Sequence, residues 1–272
     1  MNTAEITALK NKRKITMLTA YDYPVAELVD KAGIDIILVG DSLANVILGL
    51  DSTKQVGMAE MLHHTKAVRR AVKNSLLVAD MPYESYQAHP EECVKNARRF
   101  IDEAGAEAVK LEWFENCPQV TRAIASSGIP VMGHIGLTPQ TVDKIGGFKV
   151  QGKDAQAAKK LIEQAQELER CGCFSIVLEC VPDKISELIS GKIHIPVIGI
   201  GAGVHCDGQV LVINDMLGLF NRYMPKFVKK YADLSALASK AIEEFRDEVL
   251  REEFPDKEHS FGIKEEELNK LK

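Results

Sequence analysis

The chain contains no Cys-x-x-Cys pair and no apolar run approaching the roughly 18 residues of a membrane helix. Its six cysteines, Cys93, Cys117, Cys171, Cys173, Cys180 and Cys206, therefore form no paired zinc or redox motif. They read as reduced, mostly buried thiols of a cytoplasmic protein too long to need disulfide staples. Met1 to Arg13 lacks the apolar core of a signal peptide. No basic stripe is present. The net charge is -5, and Arg69-Arg70 and Lys229-Lys230 are isolated pairs. That argues against nucleic acid as a partner, and the missing apolar run argues against a membrane. Aromatics are sparse at 6%.

Short apolar runs alternate with amphipathic stretches. The expected strands are Ile15–Thr19, Ile36–Val39, Leu76–Ala79, Ala108–Leu111, Pro130–Gly133, Ser175–Leu178, Pro196–Ile200 and Gln209–Ile213. Continuous apolar runs of this length suit parallel strands buried on both faces. Helices are expected over 23–32, 58–72, 90–104, 118–127, 155–171, 182–189 and 234–251. Several end at Gly33, Gly105, Gly128 or Gly172, where glycine accepts the left-handed cap. The 272 residues suit one α/β TIM (β/α)8 barrel of about 250 residues. A doubly wound sheet is the alternative, because periodicity cannot show closure. One domain is expected over 1–272, with a charged tail from about 254.

Ionisable residues gather just after these runs. Asp41 and Ser42 follow the second, Asp80 the third and Glu179 the sixth. Lys110 and Glu112 flank Leu111 at the end of the fourth. Strand exits of a barrel share one rim. A single carboxylate there reads as a helix cap or an ion-pair partner. Three at matching positions, Asp41, Asp80 and Glu112, read as oxygen donors for Mg²⁺ or a similar hard cation. Lys110 and Glu112 alternate and so share a face. Glu179 reads either as a general base or as an ion-pair partner of Lys110. Ser42 reads as a turn cap or a ligand for a carboxylate, and His134 as a structural histidine. Gly199-Ile200-Gly201-Ala202-Gly203 has the wrong spacing for a dinucleotide loop and reads as a close backbone approach. Gly146 to Gly152 reads as a lid or a plain loop.

The chain resembles the ketopantoate hydroxymethyltransferase family. The stretches that carry this include Thr19-Ala20-Tyr21-Asp22-Tyr23, Val39-Gly40-Asp41-Ser42-Leu43 and Ala79-Asp80-Met81-Pro82. Val109-Lys110-Leu111-Glu112, Gly133-His134-Ile135-Gly136-Leu137-Thr138-Pro139-Gln140 and Leu178-Glu179-Cys180-Val181-Pro182 continue it. The resemblance runs from about residue 14 to residue 261. It implies a barrel of the phosphoenolpyruvate/pyruvate superfamily. It implies transfer of a hydroxymethyl group from 5,10-methylenetetrahydrofolate to 3-methyl-2-oxobutanoate, through Mg-assisted enolate formation, giving 2-dehydropantoate for pantothenate synthesis. Its Mg²⁺ ligands fall on Asp41, Asp80 and Glu112. Its substrate contacts fall on Asp41, Ser42, Asp80 and Lys110, and its proton acceptor on Glu179. It also implies a homo-oligomer, a decamer. Trp113-Phe114 and Ala44 stand where the family usually has glycine, which places bulk near the rim. A related carbon–carbon lyase would carry a Lys-Lys-Cys-Gly-His stretch, which is absent. An inactive binding barrel would not need the ionisable rim.

Overall fold

The computed structural model describes residues 1–143, 147–220, 222 and 224–272. Eight parallel strands follow one another in chain order and close into a barrel. They are β1 Ile15–Thr19, β2 Ile36–Val39, β3 Leu76–Asp80, β4 Ala108–Glu112, β5 Val131–Gly136, β6 Cys173–Glu179, β7 Val197–Ile200 and β8 Gly208–Leu211. Pairing of β8 with β1 completes the ring, so the doubly wound alternative falls. The principal helices are α1 Thr3–Thr7, α2 Tyr23–Lys31, α3 Leu43–Val46, α4 Met58–Arg69, α5 Pro90–Asp102, α6 Cys117–Ser126, α7 Ala155–Arg170, α8 Asp183–Lys192, α9 Ile213–Met216, α10 Leu234–Leu250 and α11 Glu265–Asn269. The glycines expected to end helices, Gly33, Gly105, Gly128 and Gly172, all have φ between 72° and 95°.

Side chains alternate along each strand, and this separates two cores. Outward residues such as Ile37, Val39, Leu77 and Val109 pack under the helices. Inward residues Ile15, Met17, Ile36, Leu38, Leu76, Val78, Ala108, Met132 and Val177 fill the barrel. The same inward rows turn polar near their C-terminal ends. Asp80 continues the row of Leu76 and Val78. Lys110 and Glu112 continue that of Ala108, His134 that of Met132, and Glu179 that of Val177.

One feature was not expected from the sequence. Helix α1 carries a capping box between Asn2 and Glu5. It sets the fully buried Ile6 into the inner core, flooring the end of the barrel opposite the polar rows. The link from β7 to β8 has no helix, in keeping with the expected elements. Gly201 in this link lies so close to Phe227 that an added Cβ would sit 2.7 Å from its ring. The close-approach reading of this glycine run holds. Among the described residues no helix is long and apolar enough to cross a membrane.

Asp30 joins the end of α2 to the entry of β3. Its carboxylate accepts the backbone N–H groups of Asn74 and Ser75 and the Asn74 side-chain amide, each at 2.9 Å. Burial works against the charged form, but these donors outweigh it and bring the carboxyl down to about 2. Asp30→Ala should cost about 2 kcal/mol, read as a lower Tm. In the wild type this contribution is complete above the ordinary value of 3.8 and is lost as pH falls through about 2.

Candidate active site

The expected site residues converge at one mouth of the barrel. Asp41, Ser42, Asp80, Lys110, Glu112, His134 and Glu179 all line a cavity of about 1170 Å³. Strand register explains the grouping. Asp80 pairs with Lys110 across β3 and β4, Glu112 with His134 across β4 and β5, and Gly136 with Glu179 across β5 and β6. The described part of the 146–152 segment also walls this cavity, through Phe148, Lys149 and Val150. Gly146 itself lies outside the described residues.

Lys110 pairs with Asp80, rather than with Asp41, Glu112 or Glu179. Its Nζ lies 2.7 Å from Asp80 Oδ1, and both side chains are nearly fully buried. Burial alone would neutralise this lysine, yet Asp80, Asp41 and Glu112 raise its pKa. The other Asp80 oxygen accepts the Asp41 backbone N–H at 3.0 Å. The Asp41 carboxyl is pushed up to about 8 by burial and by the charges of Asp80 and Glu112. Ser42 Oγ shares a 2.8 Å hydrogen bond with the Tyr21 hydroxyl, so it is held rather than free.

A residue without an assigned role ties this cluster together. Gln140 lies in the turn Pro139–Thr141 after β5 and is 1% exposed. Its side-chain amide donates to Asp41 Oδ2 at 2.7 Å and to the Met81 carbonyl at 3.2 Å. Its backbone N–H donates to Glu112 Oε2 at 3.0 Å. The Tyr86 hydroxyl donates to the Gln140 side-chain oxygen Oε1. One residue, through its side-chain amide and its backbone N–H, thus fixes carboxylates from two separate strand exits. The only sequence signal was its place in the Gly133-to-Gln140 stretch.

His134 bridges the cluster to Glu179. Its Nδ1 lies 3.4 Å from Glu112 Oε1, and its Nε2 lies 3.2 Å from Glu179 Oε2. These are close charge contacts rather than aligned hydrogen bonds. Burial and Lys110 oppose protonation, but the two carboxylates prevail and the imidazole is raised to about 9. His134 is therefore part of the site and not a satisfied core histidine. Glu179 is the most open of the buried acids, with its side chain 15% exposed. Its backbone is fixed by the Leu137 N–H, which donates to the Glu179 carbonyl at 2.8 Å. A Cβ on Gly136 would lie 2.2 Å from that carbonyl oxygen, so the approach requires glycine. Cys180, next in the chain, has φ 50°, a strained value that turns the backbone away beyond the acid.

The bulk expected at the rim lies elsewhere. Trp113 and Phe114 pack on the outer core, and Phe114 meets the Tyr86 ring at 5.3 Å. Ala44 is fully buried in the same outer layer. After Glu112 points in, the next side chain points out.

The donor set suits a hard cation. Among the described residues no three Asp, Glu, His or Cys side chains form a ready cage. Mg²⁺ commonly takes one or two carboxylates and completes its shell with water and substrate oxygens. Burial first, and then the charges of Asp80 and Glu112, disfavour a charged Asp41 carboxylate, and Lys110 opposes this only in part. A divalent ion relieves that penalty.

The family model for ketopantoate hydroxymethyltransferase matches residues 1–257. The chain belongs to this family. A 3-methyl-2-oxobutanoate hydroxymethyltransferase of Syntrophomonas wolfei is 56% identical over 96% of this chain and 95% of its own length. One of the same name from Clostridium botulinum (strain Langeland) is 54% identical over 97% and 96%. Among solved structures, 2,3-dimethylmalate lyase, a PEP mutase/isocitrate lyase superfamily member, has a TM-score of 0.61 at 13% identity, over 99% of this chain and 93% of its own. Phosphonopyruvate hydrolase, crystallised with oxalate and Mg²⁺, has a TM-score of 0.59 at 14% identity, over 95% and 93%. These structures share the barrel. As a member of the ketopantoate hydroxymethyltransferase family, the chain is an enzyme, a one-carbon transferase.

Proposed function

We propose that this enzyme transfers a hydroxymethyl group from 5,10-methylenetetrahydrofolate to 3-methyl-2-oxobutanoate, giving 2-dehydropantoate for pantothenate synthesis. The observation that carries the reading is the grouping of Glu179, an accessible acid, with Lys110 and three carboxylates around one cavity. Asp41, Asp80 and Glu112 would hold Mg²⁺, which supplies Lewis-acid polarisation of the ketone when bound. Lys110 and Ser42 hold the substrate carboxylate. Glu179 takes the proton from C3, a step worth about 10²–10⁴-fold from a positioned base. His134, with Nε2 at 3.2 Å from Glu179 Oε2, holds that side chain towards the cavity. Water hydrolyses the two C–N bonds of the carrier's methylene bridge, releasing tetrahydrofolate and formaldehyde. The C3 carbanion, as its enolate, then adds to the formaldehyde carbon, whose oxygen takes a proton to complete the hydroxymethyl group. Tight walls of Ile200, Val177 and Val210 keep bulk water from the deep end.

The test is product analysis by proton NMR after mixing enzyme, 3-methyl-2-oxobutanoate, 5,10-methylenetetrahydrofolate and Mg²⁺. A new hydroxymethyl signal on C3 is expected. Unchanged substrate would defeat the reading.

The family resemblance further supports a homo-oligomer, a decamer, in the cytoplasm. Helix α10 has no buried residue and leaves Leu237, Ile242, Phe245 and Leu250 more than half exposed. An apolar helix of this kind favours burial against another copy. Sedimentation at micromolar concentration should show the assembly, and a stable monomer would refute it. The six free thiols fit a reducing compartment.

A further inference from the structure

The chemistry above occupies only the deep end of the cavity. A five-carbon oxo acid fills a small part of about 1170 Å³, a volume suited to a much larger ligand. Along the same wall, on α9 beyond β8, stands Asp215. It is 8% exposed. Among the described residues its carboxylate has neither a hydrogen bond nor an ion pair; its backbone carbonyl accepts the Gly218 N–H at 3.1 Å. Neither nearby hydroxyl meets it: Tyr21 shares its hydrogen bond with Ser42, and Thr19 Oγ1, which accepts the Ile213 N–H at 2.9 Å, has its other hydrogen bond with Tyr21. Burial raises the Asp215 carboxyl to about 6, which leaves it mostly ionised at neutral pH. An unpartnered buried carboxylate is costly unless a ligand brings donors to it.

The proposed one-carbon donor has such donors. A 2-amino-4-oxo pyrimidine edge presents N3–H and the 2-amino group side by side. A carboxylate accepts two parallel bonds of that kind. We propose that Asp215 binds the pterin ring of the folate carrier, its two oxygens accepting from N3–H and the 2-amino group. This rests on the reading of tetrahydrofolate as the one-carbon donor. The same cavity lining holds groups that suit the rest of that molecule. Phe220 and Phe227 offer apolar surface for an aminobenzoyl ring, and Lys226 stands at the outer rim for a glutamate carboxylate. A nucleotide phosphate or a second oxo acid would meet Asp215 as a like charge.

The experiment titrates tetrahydrofolate onto the full-length enzyme by calorimetry, with Mg²⁺ and 3-methyl-2-oxobutanoate present, and then measures KM for each substrate. Asp215→Asn keeps the size but turns an NH₂ group towards the ring donors. It should weaken tetrahydrofolate binding and raise the folate KM about 10- to 100-fold. KM for the oxo acid should move by less than about two-fold, which a general structural defect would not allow. A tetrahydrofolate analogue lacking the 2-amino group supplies the second measurement. The wild type should bind it more weakly than tetrahydrofolate, and Asp215→Asn should bind the two alike. An unchanged folate affinity in Asp215→Asn, or equal rises in both KM values, overturns the assignment. If the wild type turns over with another one-carbon donor and binds no tetrahydrofolate, the donor reading has failed and the assignment falls with it.

Discussion

Asp80→Asn should cut turnover by at least 10²–10³-fold, on the order of what removal of one preorganised electrostatic group costs. The residue has three duties in one carboxylate. It neutralises Lys110 at 2.7 Å. It holds the Asp41 backbone at 3.0 Å. It is one of the three acids assigned to Mg²⁺. The amide retains the shape and one accepting oxygen but loses the charge. Lys110 then stays buried without its partner, a situation that typically costs about 3–5 kcal/mol. Stability and activity should therefore fall together, and Mg²⁺ affinity measured by calorimetry should fall as well. Asp80→Asn with wild-type Mg²⁺ affinity and turnover would remove Asp80 from the site. In the wild type, EDTA should abolish turnover and added Mg²⁺ should restore it.

Glu179→Gln should slow both turnover and hydrogen exchange at C3 by about 10²-fold or more. Enolisation needs the oxo acid, Mg²⁺ and the base, and the folate enters afterwards. The enzyme in D₂O without folate should thus exchange the C3 hydrogen of 3-methyl-2-oxobutanoate, and proton NMR follows this directly. Affinity for the acid should change little, because Lys110 and Ser42 are untouched. The Leu137-to-Glu179 backbone bond and the Gly136 approach also survive the substitution, so the frame persists. Exchange at the wild-type rate in Glu179→Gln would transfer the base role to another rim group, His134 first.

What the sequence revealed follows the physics of the strand. An apolar run that ends in Asp80, or in Lys110 and Glu112, announces a buried row that turns polar at one end. Those residues were therefore legible, with Asp41 and Glu179. Seven strand expectations lay within two residues of the observed bounds at both ends. β5 and β6 ran longer, because His134 and Cys173 do not look like strand interior. Closure was not legible, since the β1–β8 pairing joins the two ends of the barrel. Gln140 was not legible as a clamp either. It meets Asp41 across 99 positions of chain, and no local pattern records that. Trp113 and Phe114 look like rim bulk only if the alternation beyond Glu112 is neglected. Helix α1 is too short to show a period, and its single buried residue, Ile6, gives no stripe.

That floor of α1 has a kinetic meaning. With Ile6 sealing one end, reactants reach the acids through the other. On the proposed reaction, the small acid must travel to the bottom of a blind shaft, and the bulky carrier then lies above it. A carrier that arrived first would cork the shaft. Traffic must run last in, first out: acid, carrier, spent carrier, product. Initial-rate and product-inhibition patterns report that sequence, and random entry would show that the shaft has a second opening.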